Sequence, residues 1–392
     1  MLENFDPTAF ARDSWQRKAS VVRKALPHWR APLTAQAIWQ HAASDSAESR
    51  LVSAKKNRWQ LQHGPFAHTA TDKKNWTLLL QAADTLDSEV ASLYQHFNFL
   101  PRWAIDDIMV SLSATGGNVG PHFDRYDAFL LQTSGRKEWR LGQHCDANTA
   151  LTDDDELLLL KHFETRETIV LEAGDLLYIP PGLAHWGIAL DDDCITYSVG
   201  CRAPTVDDAL LSLAHFVAEQ RDTESPIPLR IDTDCPSGAI SDNTVMAFEN
   251  LLRDILLDTK TLKRALGSWL TEDTQRAWSD DDLSLTAFDT AALDALVAEN
   301  APIQRSPTTR FAYIDDDDRQ PLLLCIGGEC YPIPADNNAL KRAARHLCQH
   351  DMFGANALAP WLESERGRQI VQHCFTEGDL LMAQETTSPP HR

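Results

Sequence analysis

The apolar pattern along the chain changes character near residue 204. Before it, short apolar runs alternate with turn residues. After it, apolar residues recur at helical spacing. Residues 1–30 read as an entry helix, with Trp15, Val21, Val22 and Ala25 as its apolar contacts. Residues 31–100 mix strands and helices, and 104–202 supplies most of the strands. Leu176-Leu177-Tyr178-Ile179 is a short buried strand. A turn at Gly174-Asp175 precedes it and a turn forced by Pro180-Pro181-Gly182 follows. Trp186-Gly187-Ile188-Ala189 is then the next extended segment. A charged insertion, Asp153 to Glu156, leads into Leu157-Leu158-Leu159-Leu160, where strand and helix cannot be told apart.

Pro204 marks a boundary. Thr205-Val206-Asp207-Asp208 is a helix start with Asp208 placed for a capping box. Leu210, Leu213, Ala214 and Val217 share one helical face. A polar loop over 222–242 separates it from a second amphipathic helix carrying Val245, Phe248, Leu252, Ile255 and Leu256. Leu262, Leu266, Trp269 and Leu270 suggest a third helix, and Leu293, Leu296 and Val297 a fourth. Further on, Leu322–Ile326, Gly327-Gly328 and Cys330–Ile333 read as a hairpin. Helices near 338–350 and 356–375 and a strand at Leu380-Leu381-Met382 follow. The tail from Gln384 reads as disordered. The expected division is 1–203, 204–300 and 301–392.

Composition narrows the function. A chain of 392 residues implies two or three domains, and 43% apolar residues suffice for real cores. The net charge of −21 argues against nucleic-acid binding by the whole chain and suits a basic client. Residues 301–392 hold 9 Lys and Arg against 12 Asp and Glu, so this part lacks the basic stripe of a DNA reader. No apolar run approaches the ~18–20 residues of a membrane span. The start, Met1-Leu2-Glu3-Asn4-Phe5-Asp6, has neither the basic nor the apolar region of a secretory leader. The 8 cysteines form no C-x-x-C spacing and read as thiols of a reducing compartment. The expected location is cytoplasmic, with no membrane partner and no direct DNA binding.

The candidate chemistry lies in three split residues. Gly120-Pro121-His122-Phe123-Asp124 offers a histidine and a carboxylate at the spacing that puts both on one face of a strand. The glycines before it permit a tight turn. His185 follows the strand and turn described above. Two histidines and one carboxylate on one face of a metal leave positions open, as in non-haem Fe(II) oxygenases. Two other pairs compete. His144-Cys145-Asp146 lies in a polar loop, and His162-Phe163-Glu164 in a charged stretch; neither has such a frame.

With these motifs in order, the chain resembles the JmjC subclass of the cupin superfamily. Within it, the chain resembles the bacterial ribosomal-protein arginine hydroxylases (ribosomal oxygenases). The resemblance covers most of the first 200 residues. It rests on Ser49-Arg50-Leu51-Val52, Trp59-Gln60, His63-Gly64-Pro65-Phe66, Trp76 to Gln81, Asp107 to Ser111, Gly120 to Asp127 and Tyr197-Ser198-Val199-Gly200. It implies an α+β architecture. A double-stranded β-helix (jelly roll) would be followed by a helical dimerisation region and a winged-helix-like C-terminal domain. It also implies Fe(II) on His122, Asp124 and His185, 2-oxoglutarate as cosubstrate, and O2. The client implied is an arginine side chain of a large-subunit ribosomal protein, oxidised at the third carbon, and the expected assembly is a homodimer.

The distal carboxylate of 2-oxoglutarate needs a cation in a buried pocket. Lys137 fits the spacing, with Arg136 as its competitor on the opposite strand face. Thr196 is a candidate hydrogen-bond partner for the cosubstrate. By resemblance, Asp107, Met109 and Tyr126 hold the client guanidinium and Ser198 adds a hydrogen bond. A carboxylate pairs with guanidinium donors, while Tyr and Met cover its flat faces. Three other readings stay open: an oxygenase of this type acting on histidine, methylated lysine or a nucleotide; a cupin enzyme without 2-oxoglutarate; and a non-catalytic docking protein.

Overall fold

The computed structural model describes the chain except residues 1, 56–57, 68–73, 153–155, 203, 221–235, 237, 273–289, 316–319 and 384–392. Asp153–Asp155, most of the expected polar loop and the expected tail lie outside the described residues. The chain divides into two compact units, Met1–Ala203 and Pro204–Arg392.

The first unit is built from β1 (Ser20–Val22), β2 (Ser49–Lys55), β3 (Arg58–His63), β4 (Trp76–Leu80), β5 (Ile105–Ser113), β6 (Ala128–Ser134), β7 (Lys137–His144), β8 (Glu167–Leu171), β9 (Leu176–Ile179), β10 (Leu183–Ala189) and β11 (Cys194–Cys201). They make an eight-stranded sheet in the order β1-β9-β6-β11-β5-β4-β2-β3 and a three-stranded sheet in the order β10-β7-β8. The pairings are antiparallel, and the result is the jelly roll of the cupin and JmjC fold.

Period-2 alternation explains the large sheet's two uses. Ile108, Val110, Leu112, Phe129, Leu131, Tyr197 and Val199 face a core shared with Phe10, Ile38, Leu93 and Phe97 from the N-terminal helices. Their neighbours Asp107, Met109, Ser111, Ala128, Leu130, Thr196 and Ser198 face the other way, into a cavity. Beside that cavity, Ala128, Leu130, Leu177 and Ile179 pack against Trp139, Leu141 and Leu171 of the small sheet. Four polar residues of β5 and β11, Asp107, Ser111, Thr196 and Ser198, therefore line the inside of the roll.

Three local expectations need correction. The entry helix spans only Pro7–Asp13, with Asp6 accepting from the Thr8 and Ala9 amides as its cap. Val21 and Val22 instead form β1, which pairs with β9. Adjacent β-branched residues fit a pleated edge better than a helix face. Leu157–Leu160 is neither strand nor helix; Leu160 makes an isolated bridge to Leu151. The single helix expected over 356–375 is broken into Ala359–Leu362 and Glu365–Thr376, with Ser364 capping the second by accepting from Gly367 N–H.

In the second unit, helices Val206–Gln220, Asp242–Leu257, Thr259–Thr271 and Thr290–Glu299 appear where the apolar spacing puts them. Thr205 and Asp208 form the capping box reciprocally, at 3.0 and 3.1 Å. Residues 204–300 do not form a body of their own. Helix Thr259–Thr271 packs on strands Phe311–Ile314, Leu322–Ile326 and Glu329–Ile333. Leu293 belongs to one core with Ile303, Phe311 and Trp361. No helix of the described residues is long and apolar enough to cross a membrane.

Candidate active site

His122 and His185 meet through an isolated antiparallel bridge, N–H to carbonyl at 3.1 and 2.8 Å. His122 thus stands on an extended stretch rather than in a strand of the sheet. Gly120, at φ +86°, turns the chain into it. The Gly120 carbonyl lies 2.9 Å from His122 Nδ1, and the Leu183 carbonyl 2.9 Å from His185 Nδ1. A carbonyl only accepts, so both Nδ1 atoms carry a proton, which leaves Nε2 as the atom of each ring that can ligate a metal. His185 Nε2 lies 3.5 Å from Asp124 Oδ2. The ligand atoms of His122, Asp124 and His185 all fall within 4.8 Å of one another. Burial, and after it His122, lowers the His185 imidazole to about 4, which keeps it neutral. Two oriented imidazoles and a carboxylate suit a divalent transition metal with open positions. His144, Asp146, His162 and Glu164 are exposed, and among the described residues no other group of three such side chains converges.

The loop before His122 is held by a residue that nothing in the pattern marked. Asn118 Oδ1 accepts from Trp59 Nε1, Trp186 Nε1 and the Gly120 amide at 2.8, 3.0 and 3.1 Å. The signal available was only an asparagine within a glycine-rich turn. Gly187, opposite Trp139, leaves room for that indole; a Cβ there would lie 2.8 Å from the ring.

Lys137 opens β7 with its side chain buried in the cavity. Its Nζ lies 3.3 Å from Ser111 Oγ and 3.4 Å from Thr196 Oγ1, with no carboxylate salt partner among the described residues. Burial lowers this ammonium below the ordinary lysine value. Arg136 points outward and pairs with Asp191 at the surface.

At the cavity's other end stands Asp107. Its Oδ2 accepts from Gln81 Nε2 at 2.5 Å and from the Ala82 amide at 3.1 Å. Gln81 Oε1 in turn accepts from Arg50 at 2.8 Å. Burial first, and Asp84 second, raise Asp107 to about 6. Met109, Tyr126 and Ser198 line the same cavity, Tyr126 at its exposed rim. A Cβ on Gly200 would lie 3.2 Å from Asp107 Oδ1 and 3.9 Å from the Tyr126 ring, so glycine keeps that slot open. Gln81, Arg50 and Gly200 stand within the motifs quoted for the resemblance, but the sequence assigned them no role.

Fold and metal-ligand geometry together define a JmjC-domain protein, and residues 92–209 match the JmjC domain family. A ribosomal protein uL16 3-hydroxylase of Escherichia coli is 34% identical over 264 residues, 67% of this chain and 69% of that one. A probable ribosomal oxygenase of Haemophilus influenzae is 33% identical over 65% of each chain. The structure of the E. coli ribosomal oxygenase YcfD in complex with cobalt and 2-oxoglutarate superposes with a TM-score of 0.80 at 25% identity, covering 97% of this chain and 99% of that one. The chain belongs to the ribosomal oxygenase family.

Proposed function

We propose that this protein is an Fe(II)- and 2-oxoglutarate-dependent hydroxylase that oxidises an arginine side chain, at its third carbon, in a large-subunit ribosomal protein. The observation that carries this reading is one cavity with three parts. It is lined by a two-histidine, one-carboxylate centre, by a buried lysine that has no carboxylate partner among the described residues, and by a carboxylate whose Oδ1 accepts no hydrogen bond from them. The relative named for uL16 makes the uL16 counterpart the client to try first.

His122, Asp124 and His185 would hold the metal. With 2-oxoglutarate and O2, iron supplies the oxidising power that inserts one oxygen atom into a C–H bond, leaving succinate and CO2. The chain's own residues do the placing. Lys137, with Ser111 and Thr196 behind it, receives the distal carboxylate. Asp107 accepts guanidinium N–H bonds through its Oδ1, since Gln81 and Ala82 already occupy Oδ2. Met109 and Tyr126 flank the planar cation, and Ser198 is in place for a further hydrogen bond.

The cation is the simplest part to test. Lys137→Ala should raise the KM for 2-oxoglutarate by about ten- to a hundredfold, the worth of a hydrogen-bonded charge. Arg136→Ala should leave it unchanged. Steady-state succinate release at varied 2-oxoglutarate checks both; equal effects of the two substitutions would remove Lys137 from its role.

A homodimer, a winged-helix-like C-terminal module and a cytoplasmic location belong to the same proposal. Val245, Phe248, Leu252 and Leu256 repeat at helical spacing on Asp242–Leu257 and are exposed in the single chain, as are Leu210 and Leu211 on Val206–Gln220. Leu252→Glu should convert a dimer to a monomer in sedimentation without unfolding the jelly roll. Two of the basic residues on helix Asn338–Gln349 are engaged within the fold. Lys341 is buried and donates to the Gln320 carbonyl, and Arg345 is paired with Asp315.

A further inference from the structure

Three neighbouring strands of the large sheet set three side chains abreast on the cavity face. Register pairs Thr196 of β11 with Gln132 of β6 on one side and with Ser111 of β5 on the other. Lys137 descends onto this row from the small sheet. Gln132 is wholly buried, and a buried amide must spend its donors and acceptor well.

The direction of every hydrogen bond in the row follows from Gln132. Its Nε2 lies 2.7 Å from the Ser134 carbonyl, with the Gly135 carbonyl at 3.5 Å and Cys194 Sγ at 3.2 Å. Carbonyl oxygens only accept, so this end of the amide is the NH2. The opposite end, Oε1, therefore faces Thr196 Oγ1 at 2.9 Å. An amide oxygen only accepts, so the Thr196 hydroxyl gives its single proton to Gln132. What Thr196 turns toward Lys137 is a lone pair. Ser111 Oγ offers Lys137 a second oxygen, its own proton directed at the Thr196 carbonyl 3.4 Å away.

We infer that Gln132 is a positioning residue for cosubstrate recognition. By fixing the Thr196 hydroxyl as an acceptor, it steadies the Lys137 ammonium that meets the distal carboxylate. Thr196 then serves the cosubstrate through Lys137 and does not donate to it. The inference rests on the 2-oxoglutarate reading above. The contacts to Lys137, at 3.3 and 3.4 Å, are longer than the ~2.7–2.9 Å of a tight charge-assisted bond. They leave the ammonium a proton to give and room to close on an anion.

The test is calorimetric binding of 2-oxoglutarate to the full chain loaded with Mn(II), without client or O2. Gln132→Leu should weaken binding about tenfold, the scale of one hydrogen bond to a charged group. Thr196→Val should do the same, and Thr196→Ser, which keeps the hydroxyl, should bind as the unsubstituted protein does. The double variant Gln132→Leu, Thr196→Val should bind no worse than Thr196→Val alone, because one chain of bonds is broken twice. In the Gln132 variants the Mn(II) affinity should not move. Gln132→Met, closer in shape to glutamine, replaces the leucine variant should that one fail to fold. Unchanged binding in the Gln132 variants, or losses that add in the double variant, would overturn the inference while leaving the cosubstrate reading intact. If the unsubstituted protein binds no 2-oxoglutarate, the cosubstrate reading itself falls, and this inference with it.

Discussion

Alanine at Asp124 is expected to abolish hydroxylation, a loss of about a thousandfold or more, or about 4 kcal/mol of barrier. The carboxylate is the only anionic donor in the cluster of His122, Asp124 and His185. Among the described residues, the Asp124 side chain makes no hydrogen bond or ion pair but that with His185 in the cluster itself. The bond tying this stretch to the turn before β10 runs from Gly182 N–H to the Asp124 backbone carbonyl, which alanine keeps. The variant should therefore melt like its parent while retaining little iron. The same loss is expected for His122→Ala. Metal content, thermal melting and turnover on one preparation separate the outcomes. A variant with full turnover would remove Asp124 from the metal centre.

The second large effect concerns the client. Asp107→Asn keeps the shape of the side chain, and its amide oxygen can still accept from Gln81 and Ala82. What it loses is the charge facing the slot beside Gly200 and Tyr126. Turnover of an arginine client should fall by about a hundredfold or more, on the scale of a buried ion pair deprived of one partner. A histidine client would not need this carboxylate, so retained activity would favour that rival.

The same residue sets a pH dependence. Burial raises Asp107 to about 6, and only the ionised form pairs with a guanidinium. Client kcat/KM should be flat above about pH 7 and fall about tenfold per unit below pH 6. The Asn variant should lack that inflection. For stability the sign is opposite. A carboxyl whose folded value is raised from 3.8 to about 6 costs the fold progressively as pH rises through that window. At neutral pH, Asp107→Asn should therefore melt no lower than the parent.

How far these residues could be read from sequence depends on distance along the chain. The triad was legible because His122 and Asp124 share one extended stretch, and because a glycine turn and a double proline frame His185. The two halves meet through backbone bonds that those turns aim. Spacing and strand parity separated Lys137 from Arg136, while Asp107 and Met109 were reached through the family resemblance. The supporting residues were not legible. Asn118 matters because Trp59 and Trp186 both reach it, and Gln132 because Thr196 pairs with it across the sheet. No local pattern encodes such partners. Long-range pairing also turned Val21-Val22 into an edge strand against Leu176-Leu177. It likewise drew helix Thr259–Thr271 onto a sheet that follows it in sequence, and Pro204–Arg392 form one compact unit. The row of exposed apolar residues on Asp242–Leu257 was legible as periodicity, since repetition at three and four residues needs no partner to be seen.

The central claim is best tested by intact-protein mass spectrometry. Unmodified uL16 is incubated with the purified protein, Fe(II), 2-oxoglutarate and O2. The account predicts that uL16 gains one oxygen atom only when 2-oxoglutarate is present, and that fragmentation places it on an arginine side chain. An oxygen on a histidine, or uL16 left unmodified while succinate forms, would contradict the arginine assignment. Absence of both modified uL16 and succinate would contradict the oxygenase itself.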